Sequence, residues 1–252
     1  MRTFFRTYWK TLLFFAVIGL IGGYFTGLYA LESYPPELRQ QMQDQGLNNT
    51  MVGLIMAVQS ALYGLVLGAI GIWLGKKIGL WKDERHISKT PLLAALVISL
   101  TGGLALIFPD LLFFGKYEPA LLDVFAVKPT LPYLLATVTY GAVIEEIMLR
   151  LFMMSLVAYI LHLLFERKRR DVGEAVLMAA NVISALLFAV GHLPANQMMF
   201  GLTPVIVFRC LLLNGLFGLA FGWLYRRFGL RYAMIAHGGC HVVSKLIWIL
   251  FL

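Results

Sequence analysis

The sequence predicts an all-α fold: a polytopic membrane bundle of seven transmembrane helices, eight if a short one is hidden among the connections. Three observations predict it. Of 252 residues, 60% are apolar and only 13% charged, a balance outside that of ordinary soluble domains. Seven stretches reach the roughly 20 apolar residues needed to cross about 30 Å of hydrocarbon. Basic residues crowd into every second connection, the pattern that marks cytoplasmic loops.

Tyr8–Ala30 is the first span. Arg2, Arg6 and Lys10 give it the start of a signal peptide. Its apolar run is longer than the about 7–15 residues of an h-region and lacks an Ala-x-Ala site, so it reads as an uncleaved anchor. Gly19, Gly23 and Gly27 share one face of it, where another backbone can approach. Residues 31–50 form the most polar connection, with a short surface helix expected after Pro36. Met51–Gly75 is the second span, with Gly64 and Gly68, then Gly71 and Gly75, at the same fourfold spacing. Pro91 suits the first turn of the third, Pro91–Phe114. Leu131–Phe165 is longer than one crossing, so it tilts or extends into water. Val172–His192, Thr203–Tyr225 (with Gly218 and Gly222) and Tyr232–Leu252 complete the set. The chain reads as one integral-membrane domain, three N-terminal helices over residues 1–130 and a core over 131–252.

The net charge of +8 is distributed as topology, not as a nucleic-acid surface. Arg2, Arg6 and Lys10 precede the first span. Lys76, Lys77, Lys82, Arg85 and Lys89 fill the second connection, residues 167–170 carry four, and Arg226, Arg227 and Arg231 fill the last. Against these fifteen, the alternate connections hold Arg39, Lys116 and Lys128. The expected orientation is N-terminus cytoplasmic and C-terminus outside, in a bacterial or archaeal cell membrane. Both cysteines, Cys210 and Cys240, fall in spans, with no CxxC motif or disulfide framework. Asn48-Asn49-Thr50 matches a glycosylation acceptor, a triplet common by chance.

Polar groups inside the spans carry the chemistry. Glu145, Glu146 and Arg150 lie within six residues of the fourth span, where each charge costs roughly 2.5–17 kcal/mol. Glu146 and Arg150 are four apart and share a face, acid before base, the better order for a pair. Glu145 is rotated by about 100°, which leaves one carboxylate neutralised and the other free to act as a general base. His237 and His241 present two imidazoles on one face of the seventh span, and His192 ends the fifth. Asn181, Arg209, Asn214 and Lys245 are the other polar intrusions. Lys245 is expected to snorkel to the outer surface, and Arg209 to pair with a lipid headgroup or a buried carboxylate.

Two reaction chemistries suit an acid pair with three histidines on three helices. A carboxylate and a histidine can activate water for attack on a carbonyl, with further imidazoles holding the oxyanion. Alternatively, His192, His237, His241 and Glu145 are the ligand types of a catalytic zinc site. The zinc-protease motif HExxH is absent: Gly238 stands where its glutamate would be, so any base comes from another helix. No GxSxG elbow and no phosphate-binding glycine loop occur.

Glu145-Glu146-x-x-x-Arg150, Phe188-x-x-x-His192 and His237-x-x-x-His241 resemble, in order, the three signature motifs of the CPBP intramembrane proteases. That family includes the type II CAAX prenyl endopeptidases and the Abi bacteriocin-processing or self-immunity proteins. The resemblance covers roughly residues 131–250. It implies an intramembrane endopeptidase, with Glu145 as general base, His192 helping to activate water, His237 and His241 at the oxyanion, and Glu146 and Arg150 orienting the set and balancing its charge. Prenyl endopeptidases typically carry asparagine where this chain has His241. The implied partners are membrane lipids and a protein or peptide substrate, prenylated or not. No cofactor is required by the motifs, and zinc stays open as an alternative.

Two other functions fit the same residues: a non-catalytic membrane scaffold or self-immunity protein of that family, and a proton-coupled transporter. One geometric difficulty also stands. At about 1.5 Å per residue, Glu145 and His192 each lie about 30 Å from the basic connections, and His237 only about 9 Å. Either the fourth span projects into the cytosol, or the helices tilt and the last basic turn dips into the bundle.

Overall fold

The computed structural model describes residues 2–83 and 86–252. Met1 and Arg85 therefore lie outside the described residues, and of Arg2 only the backbone is described. Among the described residues seven helices are long and apolar enough to cross a membrane: α1 Thr3–Ser33, α3 Asn49–Lys77, α4 Lys89–Lys116, α5 Leu131–Phe165, α6 Glu174–Phe200, α7 Pro204–Phe228 and α8 Leu230–Phe251. The short α2, Pro36–Asp44, follows α1 and buries none of its residues, as expected of a surface helix. No strand occurs among the described residues, and the fold is an all-α polytopic bundle.

Glycine spacing sets the helix contacts. A Cβ added to Gly19 would lie 2.6 Å from the Ser60 carbonyl, and one on Gly27 would lie 2.8 Å from Gly53 Cα, so α1 and α3 touch backbone to backbone. Gly64 packs on Phe15, Gly71 on Leu151, and Gly218 on Ala185 of α6. α4 and α8 meet in the same way, with Gly103 against Val243. In lipid there is no hydrophobic drive between helices, so such close approach supplies the dispersion energy that holds them together.

Three features position the site. First, α5 is not a regular α-helix: it widens into π turns over Thr137–Glu145 and Ile147–Met154 before returning to α geometry at Ser155. Stretches of this kind recur at functional sites. Second, α6 does not end at His192. It breaks there and continues as Leu193–Phe200, because Pro194 is tolerated in the first turn of a new helical segment. Third, α7 and α8 are joined by Gly229 alone, at φ 107°, a conformation only glycine adopts readily.

The depth mismatch is resolved mainly by projection of α5. The Ser155 and Tyr225 hydroxyls share a hydrogen bond of 2.9 Å, so the α7–α8 turn lies against the middle of α5. The ten residues that follow Ser155, up to Phe165, run about 15 Å further, ending in exposed Leu164 and Phe165. His237, eight residues beyond Gly229, is thereby brought alongside Glu145 and Glu146.

The expectation that Lys245 snorkels outward is corrected. Lys245 is 7% exposed. Its Nζ donates to the Tyr133 hydroxyl at 3.0 Å and lies 4.3 Å from the centre of that ring. The α4–α5 connection folds over the outer end of α8, with Lys128 donating to the Trp248 and Ile249 carbonyls and Trp248 Nε1 to the Phe125 carbonyl. That cover closes the route to the surface.

Candidate active site

At the centre of the bundle, Glu146 and Arg150 are 0% and 1% exposed. Arg150 Nη1 lies 3.2 Å from Glu146 Oε1, a contact not aligned as a hydrogen bond. The guanidinium instead rests 4.4 Å from the Phe188 ring centre, a cation–π contact in the dry layer. The same Glu146 oxygen accepts the Nδ1–H of His237 at 2.8 Å. This fixes the His237 ring, which stacks on Phe221 with centroids 4.7 Å apart, and leaves Nε2 as its only other polar atom. A carboxylate holding the far nitrogen of a working imidazole is a recurrent device.

Glu145 faces elsewhere, as the sequence predicted. It makes no hydrogen bond among the described residues, and its Oε2 lies 4.0 Å from His237 Nε2. That gap is too long for a direct bond and short enough for one water to touch both groups. Glu145, His192, His237 and His241 all line one cavity of about 410 Å³. Glu146 and Arg150 lie behind its wall. His192 donates its Nδ1–H to the Phe188 carbonyl at 2.8 Å, which frees Nε2 as an acceptor, but the ring is more than 4 Å from the Glu145 carboxylate.

Gly141, one turn before Glu145, was not singled out by sequence. A Cβ built on it would sit 3.5 Å from His241 Nε2 and 3.7 Å from His237 Nε2, so the glycine keeps open the space on which both nitrogens converge. A lone glycine in an apolar span carries no sequence signal for this. Asp110 was also missed. It receives both prongs of Arg209, which selects the buried carboxylate from the two partners expected for that arginine. Asn196 and Asn214 line the cavity further out, while Asn181 does not reach it and donates to the Leu219 carbonyl at 3.1 Å.

Zinc fits this arrangement poorly. Among the described residues no three His, Cys, Asp or Glu side chains are close enough together to hold a metal ion. His192, His237, His241 and Glu145 share a cavity wall without forming a ligand set.

Residues 127–243 match the family described as Type II CAAX prenyl endopeptidase Rce1-like. Over that segment, a little under half of its length, the chain is similar to the Rce1-like family. The Rce1-like segment begins just before α5 and runs to Val243, so it holds every motif residue and omits α1, α3, α4 and Lys245. No curated protein and no solved structure matches the chain. That match supports a CAAX-type intramembrane protease at family level, and with the seven apolar helices among the described residues it fits an integral multi-pass membrane protein.

Proposed function

We propose that the chain is an intramembrane endopeptidase that hydrolyses a peptide bond of a membrane-associated or lipid-modified polypeptide. The observation that carries this reading is the Glu145 carboxylate, without a hydrogen bond among the described residues, facing His237 Nε2 across 4.0 Å in a cavity shared with His192 and His241. Glu145 takes a proton from water as the water oxygen attacks the scissile carbonyl. His192 Nε2 is a second acceptor available to that water. The tetrahedral oxyanion is held from the side of Gly141 by Nε2–H donors of His237, as imidazolium, and of His241. Collapse breaks the C–N bond, and the proton on Glu145 passes to the departing amine. Glu146 and Arg150 touch no reacting atom; they fix the His237 ring and balance its charge. No step is routed through a metal.

The test compares the purified chain with Glu145→Gln on prenylated and unmodified peptides. Loss of cleavage on the order of 10²–10⁴-fold is expected for removal of a general base, with the fold intact because Glu145 has no hydrogen bond to lose. Full cleavage by folded Glu145→Gln rejects the mechanism. Preference for the prenylated peptide would place the lipid in the cavity.

A further inference from the structure

The cavity extends toward the end of the bundle that lies away from the basic connections. It takes residues from the C-terminal parts of α1, α4 and α6, from the first half of α5, from Arg209 to Phe221 of α7 and from His237 to Trp248 of α8, together with Leu121, Val124 and Phe125 of the α4–α5 connection. The C-terminal ends of α1, α4 and α6 and the starts of α5 and α7 are joined by residues 34–48, 117–130 and 201–203, the connections poor in Lys and Arg. None of the basic side chains described in the other four segments lines it. A smaller cavity of about 190 Å³ shares Tyr29, Tyr133, Met199 and Trp248 with the first and reaches Glu32, Lys128 and Thr130 of the outer connections. The well-exposed lining residues Ala195 and Met199 are one helical turn apart on α6 just past His192. In the opposite direction the path is plugged. Glu146, Ile147, Leu151 and Met154 are fully buried, and the Ser155–Tyr225 hydrogen bond closes the layer beneath them.

We infer that the site opens to the extracytoplasmic side of the membrane, through a mouth between Tyr29 of α1 and residues 195–199 of α6. The polypeptide it cleaves is presented from that side; this second clause rests on the endopeptidase reading. The physical reason is the coincidence of two independent asymmetries. Basic connections are retained in the cytoplasm, and both water and an extended peptide reach Glu145 only from the other end of the bundle.

The experiment labels variants that each carry one added cysteine with a membrane-impermeant maleimide in intact bacterial cells expressing the full chain, the wild type with its buried Cys210 and Cys240 serving as blank. Gln45→Cys, just past α2, and the mouth variants Ala195→Cys and Met199→Cys should each gain a one-label mass shift without permeabilisation. Lys168→Cys, exposed in the α5–α6 connection, should label only after permeabilisation. Two mouth variants guard against one failing to fold. Labelling of Lys168→Cys but not Gln45→Cys in intact cells overturns the inference, and so does labelling of Gln45→Cys with neither mouth variant. In sealed vesicles, a peptide that the purified chain cleaves should be hydrolysed by right-side-out preparations; hydrolysis by inside-out vesicles alone overturns the second clause. Labelling needs no turnover, so correct labelling without any peptide cleavage would reject the endopeptidase and leave the sidedness standing.

Discussion

Gly141→Ala separates the reacting space from the fold. The added methyl carbon would lie 3.5 Å from His241 Nε2 and 3.7 Å from His237 Nε2, ordinary van der Waals distances that force nothing to move. Alanine in place of glycine within a helix favours folding by about 0.5–1 kcal/mol. Thermal stability in detergent should therefore hold or rise. The methyl nevertheless occupies the place where a carbonyl oxygen must meet the two imidazoles. Loss of a single oxyanion donor costs on the order of 10²–10³-fold in kcat, about 2.7–4 kcal/mol, and blocking two should cost no less. The control is Gly71→Ala, whose Cβ would come within 2.7 Å of Leu151 Cγ and 2.9 Å of its carbonyl carbon; that overpacking should cost about 1–3 kcal/mol of stability. The assay pairs a thermal midpoint with initial rates on a peptide that the native chain cleaves. A Gly141→Ala chain as stable as the native one and equally active would refute the assignment of the reacting centre.

Arg150→Met should destabilise the chain by about 3–5 kcal/mol, since it strands the Glu146 carboxylate in a dry layer. Adding Glu146→Gln should recover part of that loss, and strict additivity in a double-mutant cycle would deny the coupling. Lys245→Met should raise the thermal midpoint, because it removes a buried cation whose named partner is the neutral Tyr133 hydroxyl at 3.0 Å; a fall would show that the tyrosine contact outweighs desolvation. In the α5–α6 connection, the Gly173 amide and then His162 and Arg169 hold the Glu166 carboxyl below its ordinary range. A depressed folded-state value stabilises above the unfolded-state pKa, and that stabilisation is lost as pH falls through the folded value. Protection of the Gly173 amide from exchange, relative to Glu166→Gln, should be full at pH 7 and shrink in acid below the usual glutamate value of about 4.3; a difference that grows in acid contradicts this.

Much of the bundle was legible because its signals are local. Hydrophobic length alone fixed seven spans, all to within about five residues except the fifth, whose helix runs on eight residues past His192; fourfold glycine spacing named the faces that meet, and four-residue spacing paired Glu146 with Arg150. The convergence of Glu145, His192, His237 and His241 on one cavity was inferred from the cost of burying charge and is what the structure contains. Other features were not readable. The π turns of α5 have no periodicity signature, and Arg209 could have met a lipid as readily as Asp110. Lys245 went the wrong way because its escape was closed by a connection 115–128 residues upstream.

What the sequence determined by itself is the number of crossings, the charge asymmetry across them and the identity of the polar groups that cannot face lipid, because each depends on one segment and its solvent. Tertiary structure decided which nitrogen of His237 is spent on Glu146, which glycine holds the reacting space open and at which end of the bundle the cavity emerges. Those depend on how helices some 90 residues apart pack on one another, and no short-range pattern encodes that.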